Sequence, residues 1–146
     1  MFSKLYIDMC KQATEIQRNW KPSVGDFVAL GDDVSVIIYS FRRGDKVKYK
    51  LHLIRDREFE KHELIWLPTQ RQLQLIIDSH FPIPLDAQNM TSMLYNFAFS
   101  NEKYEYCTQF MTLNELWLAF LMDRCYNKRW DADKRKWVEL EDTDEA

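Results

Sequence analysis

Seven consecutive apolar residues, from Leu116 to Met122, constrain the fold of this chain more than any other segment. The run follows Thr112 and Glu115, whose spacing is that of a helix-capping box. A helix that is apolar on every face must be covered on all sides, so we expect this segment to be the buried centre of the fold. As a helix the run spans only about 10 Å, which is too short for the roughly 30 Å core of a bilayer.

The composition of the 146-residue chain is that of a globular domain. Hydrophobic residues make up 46% and aromatic residues 14%, enough to fill a core without a metal or disulfide. The net charge is −3, and the last eight residues hold five acids, so the rest of the chain carries +2. We therefore predict one domain over residues 1–138 and a mobile acidic tail over residues 139–146.

The cysteines and the start of the chain indicate a cellular compartment. Cys10, Cys107 and Cys125 are far apart and odd in number, and residues 1–11 contain charges rather than a secretory signal. These features indicate a soluble protein of the reducing cytoplasm. We expect Cys125 to be a core residue and Cys107 to be the most exposed thiol.

Hydrophobic periodicity predicts an α+β fold, with a small antiparallel sheet of three or four strands in the first half packed with about four helices. Glycines at strand ends mark the turns of the sheet. In the first half we expect a helix over residues 3–19, strands at Phe27–Leu30, Val34–Phe41 and Lys46–Ile54, a charged loop over residues 55–63, and a short strand at Leu64–Leu67. In the second half we expect helices from Thr69 to about Ser79, after Asp86, and from Thr112 to about Asn127. We also expect an ambiguous segment at Tyr104–Met111 and a small hairpin or loop between Trp130 and Trp137.

Three segments are familiar when taken together: Trp20 to Phe27 (WKPSVGDF), Trp66 to Leu73 (WLPTQRQL) and Glu115 to Met122 (ELWLAFLM). In this order, and with the closing pair Trp130 and Trp137, they resemble a group of small uncharacterised proteins encoded by bacteriophages and prophages. The resemblance implies a phage context and a location in the host cytoplasm. The group has no established activity, so the resemblance implies no reaction.

A stripe of basic residues is the strongest functional candidate. Its lysines alternate along the third predicted strand and share one face of it, and the arginines lie at the adjoining turn. Such a face could follow a phosphate backbone, with Tyr39 or Phe41 stacking on bases if exposed. The alternative is a solvated sheet face on which lysines discourage aggregation. The basic stripe consists of Arg42, Arg43, Lys46, Lys48, Lys50 and His52.

Four tryptophans lie at the ends of predicted elements, where an aromatic ring can either clamp two elements together or contact a partner protein. We keep both interpretations, so these residues are a possible partner interface. They are Trp20, Trp66, Trp130 and Trp137. Trp117, within the apolar run, is expected in the core.

No recognised catalytic pattern is present in the sequence. The three histidines lack metal-ligand spacing, and the three glycines form no phosphate-binding loop, so we expect no metal and no cofactor. The absence of catalytic patterns and the tryptophans at element ends favour a non-enzymatic protein that binds another macromolecule, first of all a protein. The resemblance implies that it is a phage or prophage accessory protein and that its partner is of phage or host origin. The alternatives are a nucleic-acid-binding module that uses the basic stripe and a small hydrolase of unknown type. Self-association remains open, and no membrane partner is expected.

Overall fold

The computed structural model describes residues 2–140, which form six helices and six strands. Residues up to Pro68 make one compact unit, and residues from Thr69 onward make a second. The α+β class is confirmed, with a four-stranded antiparallel sheet in the first unit and a two-stranded sheet in the second. A single domain over residues 1–138 stays a prediction, and each unit is described by itself.

The first unit is built on the four-stranded sheet, whose strand order is β3-β2-β1-β4. Every neighbouring pair in it is antiparallel, and α1 packs against β4. The elements are α1 (Lys4–Gln12), α2 (Thr14–Asn19), β1 (Phe27–Leu30), β2 (Asp33–Arg43), β3 (Lys46–Leu51), a 3-10 turn (Lys61–Glu63) and β4 (Ile65–Trp66).

The single helix predicted over residues 3–19 is wrong, because the chain breaks at Ala13 into α1 and α2. The side chain of Gln17 bonds to the backbone of Cys10, just before this break, and of Trp66 in β4. Its Nε2 donates to the carbonyls of Cys10 (3.1 Å) and Trp66 (3.0 Å), and its Oε1 accepts from the Trp66 amide (2.8 Å). Since β4 is an edge strand, Gln17 takes the place of the missing strand neighbour.

The hairpin between β2 and β3 is tighter than the sequence predicts. Strand β2 continues through Arg43, so only Gly44 and Asp45 form the turn. Gly44 has a φ of 69°, which suits a glycine at the first position of a two-residue hairpin. Strand β3 ends at Leu51 rather than Ile54.

The charged segment 55–63 is more ordered than the predicted loop. Phe59 is fully buried, and its backbone pairs with that of Tyr49 on the open side of β3. The Tyr49 amide donates to the Phe59 carbonyl (2.8 Å), and the Phe59 amide donates back (2.9 Å). One apolar residue therefore ties a highly charged segment to the sheet.

The second unit follows the predicted order of capped helices and a final hairpin. Thr69 and Gln72 form the predicted capping box of α3, Asp86 caps α4, and the ambiguous segment contains a short helix. The elements are α3 (Gln70–Ser79), α4 (Ala87–Phe99), α5 (Tyr104–Cys107), α6 (Leu113–Tyr126), β5 (Lys128–Asp131) and β6 (Lys136–Glu139).

Helix α6 is the buried centre of the second unit. All residues from Trp117 to Met122 are buried, and α3, α4 and β5 pack around the helix. The Thr112 hydroxyl accepts from the Glu115 amide (3.2 Å), as predicted. The Glu115 carboxylate accepts from the amide of Met111 (2.8 Å), one residue before the predicted capping position.

Of the two predicted alternatives, the segment forms the hairpin, with Trp130 opposite Trp137 and their ring centroids 5.3 Å apart. The amide of Trp130 donates to the hydroxyl of Tyr106 (2.8 Å), which joins the hairpin to α5. Strand β6 includes Glu139, the first residue of the predicted tail. Leu140, also in the predicted tail, donates its amide to the carbonyl of Asn127 (2.9 Å), and residues 141–146 lie outside the described residues.

The role of Gln17 can be tested by the nearly isosteric change Gln17→Glu. A carboxylate cannot donate to the carbonyls of Cys10 and Trp66, so we expect a loss of about 1–3 kcal/mol in the free energy of unfolding. Urea denaturation measures this loss, and hydrogen exchange at the Trp66 amide reports it locally. Gln12→Glu, at the exposed end of α1, is the control, and equal effects of the two changes would contradict the role of Gln17.

The buried position of α6 predicts that Trp117→Ala lowers the free energy of unfolding by about 3–5 kcal/mol, because a large ring is removed from a packed core. Tyr95→Ala removes an exposed aromatic ring from the same unit and should cost less than about 1 kcal/mol. Denaturant unfolding of the two variants side by side measures the difference. Similar losses would show that Trp117 is not a core residue.

Candidate nucleic-acid interface

The pairing of β2 with β3 places aromatic and basic side chains on one face of the sheet. Tyr39 lies opposite Lys50, Phe41 opposite Lys48, and Arg43 opposite Lys46. Residues directly opposite each other in an antiparallel pair have side chains on the same face, about 5 Å apart. We call this surface the aromatic–lysine face; it comprises Tyr39, Phe41, Arg43, Lys46, Lys48 and Lys50.

An irregularity at Ile38 determines which residues reach this face. The register of β2 against β3 shifts between Ile37 and Tyr39, as in a β-bulge. Ile37 is buried opposite Leu51, whereas Tyr39 is 59% exposed. In a regular strand these two residues, two positions apart, would share a face. The extra residue therefore turns the aromatic rings away from the core and toward the lysines.

The rings of the aromatic–lysine face form a small stacking surface. The centroids of Tyr39 and Phe41 are 5.7 Å apart, with an angle of 29° between the ring planes. The guanidinium carbon of Arg43 lies 5.4 Å from the centroid of Phe41. An exposed ring beside a cation is the arrangement on which unpaired bases stack in proteins that bind single strands.

Two acidic residues border the lysines because Phe59 pairs with Tyr49. Glu58 binds Arg43 through two contacts, of 2.5 Å to Nη2 and 3.2 Å to Nε. Glu60 lies 3.7 Å from the Nζ of Lys46 and 3.6 Å from that of Lys48. With four cations and two carboxylates, the face retains a net charge of +2.

The remaining members of the basic stripe lie elsewhere. Arg42 is in register with Val47 and so belongs to the opposite face of the sheet. His52 follows the end of β3, and its Nδ1 contacts Nη2 of Arg55 at 2.9 Å. The structure therefore brings four of the six predicted residues together. It adds Glu58 and Glu60, for which the only sequence signal was the alternation of charged residues around Phe59.

The four tryptophans at element ends are all buried, with 4–8% of their surface exposed. The rings of Trp20 and Trp66 are parallel within 4° at 5.8 Å, and Trp20 donates to the Asp26 carboxylate (2.9 Å). Trp130 and Trp137 meet edge to face in the hairpin. This burial leaves little ring surface for a partner protein and favours the clamp interpretation.

The cysteines are poor nucleophiles at neutral pH. Cys107 is only 7% exposed, so the expectation that it is the most exposed thiol is wrong; Cys125 is half-buried. Burial raises the pKa of the Cys107 thiol and of the Cys125 thiol to about 11, and it also raises the pKa of Cys10. Since the thiolate is the reactive form, these three groups are largely unreactive near pH 7.

A polar cleft of about 540 Å³ in the second unit is where a hydrolase could place its chemistry. Two carboxylates line it, those of Glu102 and Asp123. Asp123 is held by Lys103 (3.6 Å) and Arg129 (3.2 Å). Its hydroxyl, Ser100 Oγ, is buried and has no hydrogen-bond partner among the described residues. A serine nucleophile needs a base within hydrogen-bond reach, so this cleft lacks the required arrangement.

One group of potential metal ligands, Glu60, His62 and Glu63, was not indicated by sequence spacing. Their ligand atoms lie within 4.8 Å of one another. However, Glu60 binds two lysines, and Glu63 binds Nη2 of Arg57 at 2.7 Å. Both carboxylates are thus already neutralised by neighbouring cations, which is the arrangement of a salt-bridge cluster.

No protein-family model, curated protein or solved structure matches this chain. The resemblance to phage-encoded proteins therefore stays a prediction. Among residues 2–140, no helix has the length and apolar character needed to cross a membrane.

The ion pair between Arg43 and Glu58 should be measurable as a change in the pKa of Glu58. Hydrogen bonds from Arg43 lower the pKa of Glu58 from its ordinary value of 4.5. The pair therefore stabilises the fold above pH 4.5, and this contribution is lost as the pH falls through the lowered pKa. We expect Arg43→Gln to raise the pKa of Glu58, as measured by NMR titration of its carboxyl carbon. An unchanged pKa would contradict the pairing, and Lys4→Gln is the control.

Proposed function

We propose that this protein is a non-enzymatic accessory protein of a bacteriophage or prophage that acts in the host cytoplasm by binding another macromolecule. We further propose that the aromatic–lysine face binds single-stranded nucleic acid. The observation that carries this second proposal is the register that sets Tyr39 and Phe41 directly opposite Lys50 and Lys48. The phage setting follows from the sequence resemblance.

The chemistry of the face matches the two parts of a nucleotide. A base can stack on the exposed ring of Tyr39, and the adjacent lysines can contact the phosphates on either side. Lysines at alternate positions of β3 are roughly 7 Å apart along the strand, so they can contact successive parts of a flexible backbone. A duplex keeps its bases stacked inside, which leaves the rings of this face without a partner.

The carboxylates of Glu58 and Glu60 make the proposed binding modest and sensitive to salt. An incoming phosphate must replace a carboxylate on Arg43 or Lys48, so part of the electrostatic gain is offset. The Nζ of Lys50 donates to the backbone carbonyl of Arg55 (3.2 Å), and within residues 2–140 it forms no direct ion pair. Lys50 is therefore the lysine that a phosphate can contact with the least loss.

The proposal is tested by titrating a fluorescein-labelled oligothymidylate of twenty nucleotides with the whole protein at 20 and 200 mM salt. We expect Lys48→Gln/Lys50→Gln to weaken binding and to reduce the slope of log K against log salt by about 1.4, the loss of two phosphate contacts on a single strand. Lys4→Gln/Lys21→Gln makes the same change of charge on exposed residues away from the face. It should leave the slope of log K against log salt unchanged.

Two further variants, with Tyr95→Ala as a control, test whether the oligonucleotide binds at this face rather than at other basic residues of the protein. Glu58→Gln/Glu60→Gln should strengthen binding, because it releases the cations of the face. Tyr39→Ala should weaken binding by about 1–3 kcal/mol through lost stacking, whereas Tyr95→Ala should not. Absence of salt-sensitive binding at 20 mM salt, or equal losses in the two lysine double variants, would refute the proposal.

A protein partner is the second candidate, and an exposed aromatic cluster in the second unit favours it. Tyr95, Phe99 and Tyr104 are each more than half exposed, with centroid distances of 4.7 Å and 6.2 Å between successive rings. Clustered surface aromatics are enriched at protein interfaces. Light scattering of the purified protein would show whether this partner is a second copy of the chain.

A further inference from the structure

A groove in the first unit lies apart from the rings of the aromatic–lysine face. It encloses about 820 Å³, within the range of about 300–1,000 Å³ that is typical of ligand sites. Residues of α1, α2, β3, the 3-10 turn and β4 line it. The lining includes the cations Lys11, Arg18 and Lys61 and the apolar side chains Trp20, Val47 and Leu64.

The floor of the groove is apolar, but the aromatic rings that belong to it are buried by neighbouring residues. Trp20, Tyr49 and Leu64 are each less than 10% exposed, and Trp20 lies parallel to Trp66. Val47 is 39% exposed and offers the most accessible apolar surface in the groove. An apolar side chain can pack on such a floor, whereas a base finds no open ring face to stack on.

The rim of the groove is cationic. Among the described residues, Lys11, Arg18 and Lys61 have no carboxylate partner. Lys61 donates to the backbone carbonyl of Arg18 (3.1 Å), which leaves its charge uncompensated. The single acid of the lining, Glu60, is bound to Lys46 and Lys48. The rim therefore attracts an anionic ligand.

We propose that this groove binds an acidic peptide segment of a partner protein, with one apolar side chain on the floor and carboxylates along the rim. The complementary charge selects an acidic ligand, and the floor selects an apolar anchor. The free cations come from α1, α2 and the 3-10 turn, so an extended chain contacts all of them more readily than a single compact anion does. This inference goes beyond nucleic-acid binding and concerns a different surface.

The test uses the whole protein and a fluorescein-labelled peptide of seven residues, with a central leucine and three acidic residues on each side. We expect saturable binding that weakens with salt. A peptide with serine in place of leucine should bind more weakly, and a peptide with lysines in place of the acids should not bind. No saturation up to 1 mM peptide at 20 mM salt, or equal affinity for the leucine and serine peptides, would overturn the proposal.

Matched charge reversals test whether the groove itself is the site. Lys11→Glu/Arg18→Glu should weaken peptide binding at least about tenfold. Lys4→Glu/Lys21→Glu makes the same change of charge on exposed residues outside the groove and should change the affinity less than about threefold. Circular dichroism of the two double variants checks that both are folded. Equal losses would overturn the proposal.

The same variants separate this proposal from the nucleic-acid proposal. Lys46 borders both surfaces and is left unchanged. If the groove binds a peptide, Lys48→Gln/Lys50→Gln should leave the affinity for the peptide unchanged. Lys11→Glu/Arg18→Glu should then change the affinity for oligothymidylate less than about threefold. If the oligonucleotide displaces the peptide and the groove variant abolishes oligonucleotide binding, the groove is a nucleic-acid site and the peptide proposal is wrong.

Discussion

The backbone pairing of Phe59 with Tyr49 is the interaction on which both candidate surfaces of the first unit depend. It buries the one apolar side chain of a strongly charged segment and so holds that segment against the open side of β3. On one face of the sheet this places Glu58 and Glu60 beside the lysines. On the other, the chain continues into the 3-10 turn and Leu64, which complete the groove. Burial of a single phenyl ring therefore determines the charge of one surface and the shape of another.

Both candidate surfaces contain aromatic rings and cations, but they differ in which of the two is accessible. On the aromatic–lysine face, carboxylates partly neutralise the cations and Tyr39 is exposed. In the groove, the aromatic rings are covered, and Lys11, Arg18 and Lys61 of the rim have no carboxylate partner in the part of the chain that the structure describes. Stacking requires an open ring, and charge attraction requires an uncompensated ion. These opposite balances are the physical reason for assigning nucleic acid to the face and an acidic peptide to the groove.

Sequence patterns predicted the structure correctly where it depends on interactions between residues close together in the chain. The capping residues Thr69, Asp86 and Thr112 begin helices as expected, and the Trp130–Trp137 hairpin forms as expected. Prediction failed where a tertiary contact overrode the local pattern. Residues 3–19 have continuous helical periodicity, yet the chain breaks at Ala13, where Gln17 bonds across to Trp66 on the sheet edge.

The sequence by itself determined the fold class and the buried helix, because periodicity and capping are local properties of the chain. It also placed Lys46, Lys48 and Lys50 on one face of a strand, since side chains alternate with period two. Only the tertiary structure decided which other side chains lie beside these lysines. The irregularity at Ile38 brings Tyr39 and Phe41 to the same face, and the returning segment adds Glu58 and Glu60. Strand register and long-range pairing depend on contacts between distant residues, which alternation within one strand does not encode.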